Sequence, residues 1–131
     1  MDYQTQRNSI IRKYVDYGSR HHLNCIRHDS NASEKHRKKV NEICDFLIEK
    51  NLDFICRPII KNWFRNPVTR KTVKWDYIAD ILFWIKKPFI SKIVEVFDSE
   101  KEEHAKDKNY PEEFRVIVID VDDILGDYSE I

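Results

Sequence analysis

The stretch VKWDYIADILFWI (residues 73–85), followed by KKP (86–88) and FISKIVEVF (89–97), decides the fold of this chain. Its odd positions, Val73, Trp75, Tyr77, Ala79, Ile81, Phe83 and Ile85, are all apolar, while its even positions mix Lys74, Asp76 and Asp80 with Ile78, Leu82 and Trp84. Successive side chains of a strand point to opposite faces, so this alternation predicts one long strand over 73–85. Proline lacks the N–H that a ladder needs, so Lys87-Pro88 ends that strand and Phe89–Phe97 forms the next. With Lys87-Pro88 centred in the connection, Ile81 faces Val94, Ala79 faces Val96 and Asp80 faces Glu95. A slip of one residue would set Asp80 behind Val94 and break the agreement of both faces.

Working outward, the spacing of Ile10, Ile11, Tyr14 and Val15 predicts a helix over about 4–17, stopped by Gly18. Residues 18–31 are polar and read as a loop. A second helix starts at Asn31, or at Ser33, with Glu34 placed as in a capping box. Val40, Ile43, Cys44, Leu47 and Ile48 form its apolar stripe, Lys35, Arg37, Lys38 and Lys39 lie off it, and Asn51 closes it. Asp53–Ile60 reads as a strand with Pro58 at an edge or bulge, and 61–72 as a basic loop. Beyond Phe97, Ser99 opens a helix that ends at Asn109-Tyr110-Pro111. The apolar run Val116-Ile117-Val118-Ile119 predicts a strand buried on both faces and parallel to its neighbour.

The expected fold is therefore a single α/β domain. It has a mixed central sheet in helix-strand-strand-strand-helix-strand order and an additional N-terminal helix. Residues 1–30 hold the first helix and loop, 31–121 the core, and 122–131 an acidic tail. A chain of 131 residues with 41% hydrophobic content supports one compact core. The three cysteines, Cys25, Cys44 and Cys56, share no paired spacing, which predicts free thiols in a reducing compartment. No apolar run approaches the roughly 20 residues of a membrane span, and the N-terminus lacks the apolar middle of a signal peptide. A cytoplasmic address is the expectation.

Net charge is zero, yet residues 1–75 hold 16 Lys+Arg against 8 Asp+Glu and residues 76–131 hold 7 against 15. A basic binding surface opposed to an acidic site would produce this asymmetry, and so would an ordinary mixed surface once the halves interleave. Lys61, Arg65, Arg70, Lys71 and Lys74, interleaved with Trp63 and Phe64, suit phosphate contact and base stacking. A solvated charged loop is the plainer account of the same residues. His22, Cys25 and His28 include zinc-ligand types, but no second pair completes a tetrahedral set by spacing.

Asp80 and Glu95, facing each other with Cβ atoms roughly 5 Å apart, repel unless a proton or a cation offsets the charge. Two oxygen-donor carboxylates suit Mg²⁺ or Mn²⁺. Pairing of Asp80 with a nearby basic side chain is the structural alternative. His36 lies on the apolar stripe of the second helix, one turn before Val40, and is the better candidate there for a site contact; a satisfied, partly buried histidine is the alternative. Glu34 lies off the stripe and reads as a cap residue.

Residues 32–121 resemble the PD-(D/E)XK nuclease superfamily. Ala79-Asp80-Ile81-Leu82 is similar to that family's acidic motif on its second strand, and Val94-Glu95-Val96-Phe97 to its Glu-x-Lys motif on the third. Asp98-Ser99-Glu100 and the Lys-rich segment ending in Tyr110-Pro111 also resemble divergent members. The resemblance implies a restriction-endonuclease-like fold and metal-dependent hydrolysis of nucleic-acid phosphodiesters, with DNA the favoured substrate. It implies Asp80 and Glu95 as ligands of Mg²⁺ or Mn²⁺ and an acidic site residue on the second helix, where Glu34 is the candidate by position and helical phase favours His36 as the catalytic-site residue instead. The basic segment 61–74 would then hold the substrate, and a homodimer would suit cutting both strands. The family's lysine position is Phe97, so Lys74, Lys101 or Lys106 must replace it, or the domain is an inactive module that binds nucleic acid or a protein partner.

Overall fold

The computed structural model describes residues 1–20, 22–98, 108–123 and 131. Helices α1 (Tyr3–Tyr14) and α2 (Glu34–Glu49) accompany strands β1 (Phe54–Cys56), β2 (Ile59–Arg65), β3 (Thr72–Ile78), β4 (Ile81–Ile85), β5 (Ile90–Phe97) and β6 (Phe114–Asp120). Four strands form a mixed sheet in the order β1-β4-β5-β6, and β2-β3 form a separate ribbon. β5 and β6 run parallel, as the sequence predicts. The β4–β5 register sets Ile81 against Val94, again as expected, and the Lys87-Pro88 bond in the connecting turn is cis.

Both faces of the sheet are covered. On one, Val40, Ile43, Cys44 and Leu47 of α2 pack on Phe54, Ile81, Phe83, Val94 and Val96. On the other, Ile11 and Tyr14 of α1, with Val15, pack on Ile55, Leu82, Trp84 and Ile93. Ala79, Ile81, Phe83, Val94 and Val96 are buried as expected, and so are the even residues Leu82 and Trp84. α1 is tied down by Asp53, whose carboxylate accepts from Tyr3 Oη at 2.7 Å and Arg7 Nη1 at 2.6 Å. The thiols of Cys44 and Cys56 meet at 3.5 Å in the core and are free.

Several expectations are corrected. The strand expected over 73–85 is two strands, divided at Ala79-Asp80, because β3 pairs with β2 while β4 pairs with β1 and β5. The strand expected over 53–60 is likewise divided at Arg57-Pro58, where Arg57 takes a left-handed φ of 56°. Of residues 61–72, only 66–71 are loop. Lys61–Arg65 belong to β2, and Asn66 closes the turn by accepting from Val68 N and Thr69 N at 2.8 and 3.2 Å. Alternation does not flag β2 because apolar Ile59-Ile60 and Trp63-Phe64 are adjacent pairs separated by Lys61-Asn62, with no period of two.

α1 stops at Tyr14 rather than at Gly18, since Val15 extends into a bridge with Ile60. Ser33, not Asn31, caps α2 by accepting from His36 N at 3.2 Å. Lys39, expected off the stripe, is buried and reaches the Asp123 carbonyl at 2.5 Å. β6 is the last strand of the sheet and Val116 is 40% exposed, so it is not buried on both faces. The helix expected from Ser99 and most of the acidic tail lie outside the described residues. No described helix is long and apolar enough to cross a membrane.

Candidate active site

The break between β3 and β4 makes a site. Pairing changes partner at Ala79-Asp80, and the backbone there is held by Arg57 N donating to Asp80 O at 3.0 Å and Ala79 N donating to Pro58 O at 3.1 Å. Asp80 sits one step before the Ile81–Val94 pair, which opposes it to Glu95 on the neighbouring strand. Asp80 is 9% exposed and Glu95 4%. Both line a cleft of about 370 Å³, together with His36, Arg57, Asp98 and Lys108.

Each carboxylate has its own partners. Asp80 Oδ2 accepts from Val96 N at 2.7 Å, and Oδ1 lies 3.1 Å from His36 Nε2. The bond to Asp80 raises the His36 pKa above its ordinary value, against the opposing effect of burial. Glu95 Oε1 accepts from Tyr110 Oη. Lys108 Nζ lies 3.3 Å from both Glu95 oxygens and donates to Ile78 O at 2.7 Å. Burial pushes Glu95 up to about 7 and the Asp80 charge adds to this, while Lys108 and Tyr110 pull the other way. Burial and the same carboxylate raise the Tyr110 phenol.

This environment makes stability depend on pH. Glu95 binds its proton more tightly in the folded chain than at the ordinary value of 4.5. The stabilisation is complete below that value and is lost as pH rises through about 7. The interval corresponds to about 3 kcal/mol. Urea unfolding in EDTA at pH 4.5 and pH 8 should therefore show a loss on the order of 3 kcal/mol larger in the wild type than in Glu95→Gln. His36, also raised, loses stabilisation in the same direction in both proteins. Equal losses in the two proteins would mean that Glu95 ionises as it does in water.

The structure brings together Asp80, Glu95 and His36, the three catalytic-site residues expected from sequence. It places Lys61, Arg65, Arg70, Lys71 and Lys74 elsewhere, on the β2–β3 ribbon and its turn. Glu34 points to solvent and pairs with Lys38 at 3.5 Å. His28 Nε2 bonds Asn41 Oδ1 at 2.9 Å, and His22, Cys25 and His28 make no ligand group. Of the three lysines expected to stand in for Phe97, Lys74 lies over the Trp63 ring at 4.4 Å, and Lys101 and Lys106 fall outside the described residues.

Sequence reasoning missed Lys108, Tyr110 and Arg57. The only signal near the first two is Tyr110-Pro111, which reads as a helix end. Among the described residues no group of three or more metal-ligating side chains occurs. The cleft is lined by four carboxylates, Asp29, Asp80, Glu95 and Asp98, and the opposed pair Asp80 and Glu95 fits an ion that takes one or two carboxylates and keeps water for the rest. Compared with known proteins, the chain matches no family model, no curated protein and no solved structure at a significant level.

Proposed function

We propose that the chain is a metal-dependent nuclease that hydrolyses phosphodiester bonds, with DNA as substrate. The observation that carries this is the opposed pair Asp80 and Glu95 in one cleft, with the Lys108 amine 3.3 Å from Glu95. Asp80 and Glu95 would hold Mg²⁺ or Mn²⁺, which when bound supplies Lewis-acid polarisation and an activated water. Lys108 takes over the role that Phe97 cannot fill, placing an ammonium beside the reacting phosphate. His36 holds Asp80 in position, and Arg57 at the cleft wall offers a second cation to the phosphate.

The basic ribbon would grip the nucleic-acid backbone. Replacing Arg65, Arg70 and Lys71 together with Ala should weaken DNA binding and flatten its salt dependence, each lost phosphate contact reducing the log–log slope by roughly 0.7–0.9. Anisotropy titrations from low to moderate salt measure this, and an unchanged slope would remove the ribbon turn from the interface.

A second reading has its own support. All four carboxylate oxygens of Asp80 and Glu95 already accept from a donor, so the cluster can stand without a metal. A non-catalytic module that binds nucleic acid or a protein partner would need nothing more. Incubation of labelled DNA with Mn²⁺ or with EDTA separates the two. Cleavage by the wild type with Mn²⁺, absent in EDTA and in Glu95→Gln, is the expected result. Binding without cleavage in Mn²⁺ would overturn the nuclease assignment in favour of the module.

A further inference from the structure

We infer that one face of the β2–β3 ribbon is a stacking platform for single-stranded nucleic acid, with a nucleobase against Trp63 and phosphates on Lys61, Arg65 and Lys74. The inference rests on nucleic acid being the ligand, as proposed above, but not on cleavage.

Four observations carry it. The ribbon register opposes Lys61 to Asp76, Trp63 to Lys74 and Arg65 to Thr72, so these six side chains share one face. The opposite face is engaged at its base: Ile60 is fully buried, and the Tyr77 ring meets the Tyr110 ring at 5.6 Å. Trp63 is 59% exposed, a large apolar area to leave in water, and Lys74 Nζ sits 4.4 Å from its ring centroid. Residues 59–78 carry five basic side chains against one acidic, Asp76, in a chain whose net charge is zero. An aromatic ring inside a basic strip matches the chemistry of a sugar–phosphate chain with unstacked bases.

A hollow of about 480 Å³ opens beside the platform, lined by Lys13, Tyr14, Lys61, Asn62, Trp63 and Pro111, with Glu112 and Glu113 completing it. Its size suits a nucleobase, within the roughly 300–1,000 Å³ of small-molecule sites. The two glutamates would repel a phosphate but accept from the amino group of a base. A base paired inside a duplex presents no free ring face to Trp63, whereas a single strand does. The ribbon also leads to the cleft, because β3 ends at Ile78, which lines it and accepts from Lys108.

The test compares a labelled single-stranded oligonucleotide with its duplex, both in EDTA so that no cleavage occurs. Trp63→Ala should weaken single-strand binding roughly 5- to 150-fold, the range spanned by one stacked base. Trp63→Phe should restore most of that loss. Duplex affinity should change less than about twofold and the salt slope of Trp63→Ala should match wild type, since stacking releases no counterions. Lys61→Ala, Arg65→Ala and Lys74→Ala together should instead lower the single-strand slope by about 0.7 per contact. An unchanged single-strand Kd in Trp63→Ala, or an equal loss on both substrates, would overturn the platform and leave the proposed function standing. Failure of the wild type to bind either form would overturn both.

Discussion

Asp80→Asn and Glu95→Gln should each abolish the thermal stabilisation that Mn²⁺ gives the wild-type protein. A ligand present at about a hundred times its Kd stabilises the folded state by about 2.7 kcal/mol, which for a chain of this size raises Tm on the order of 10 °C. Removing either charge removes half of the carboxylate pair. Without metal the two variants should part company. Two opposed carboxylates considered alone predict relief of repulsion and a neutral or mildly stabilising effect of both changes. In the structure Asp80 accepts from Val96 N and pairs with His36, so an asparagine must turn its amide N–H₂ toward one of those donors. That should cost about 1–3 kcal/mol. Glu95→Gln keeps an acceptor for Tyr110 and sheds a buried charge, so it should be neutral or stabilising at pH 8. Lys108→Ala should keep the Mn²⁺ shift and lose cleavage by about 10²- to 10³-fold, the usual effect of removing one transition-state donor. Melts in EDTA and Mn²⁺ with a cleavage assay measure all of this. A wild-type melt unmoved by Mn²⁺ would remove the chemical basis of the nuclease proposal.

Phe83→Ala should lower the unfolding free energy by about 3–5 kcal/mol, the cost of a cavity where a fully buried ring has gone. Phe83 is 0% exposed in the middle of β4, paired with Phe54 on one side and Lys92 on the other. It belongs to the cluster that Val40, Ile43 and Leu47 of α2 close from above the sheet. No neighbour can move in without breaking the strand pairing, so little relaxation is available. Urea unfolding followed by far-UV dichroism gives the number. A loss below about 1 kcal/mol would mean that the odd face of β4 is not the face under α2.

The two elements at stake in these experiments were legible to different degrees. The alternation read over residues 73–85, the break at Lys87-Pro88 and the agreement of Ile81 with Val94 gave the β4–β5 pairing and hence the opposition of Asp80 and Glu95. His36 followed from helical phase alone, because a residue one turn before Val40 must share its face. Lys108 and Tyr110 could not be found that way. They are far from Glu95 in sequence and approach it only because β6 is laid parallel beside β5.

The same contrast holds across the chain. The sequence by itself determined the mixed α/β class, the α2 stripe from Val40 to Leu47 (though not Ile48, which is 53% exposed), the central hairpin and its register, since each depends on local periodicity and on which side chains avoid water. Only the tertiary structure decided that 73–85 would divide at Asp80 and that 59–78 would leave the sheet as a ribbon. Strand propensity is the same whichever partner a strand pairs with, and the choice between β2 and β5 as partner is made by long-range packing under α1 and α2. The tertiary structure also decided which cation would meet each buried carboxylate. A charge can be placed in a cleft by sequence pattern, but its partner is whichever donor the completed fold carries to within about 3 Å of it.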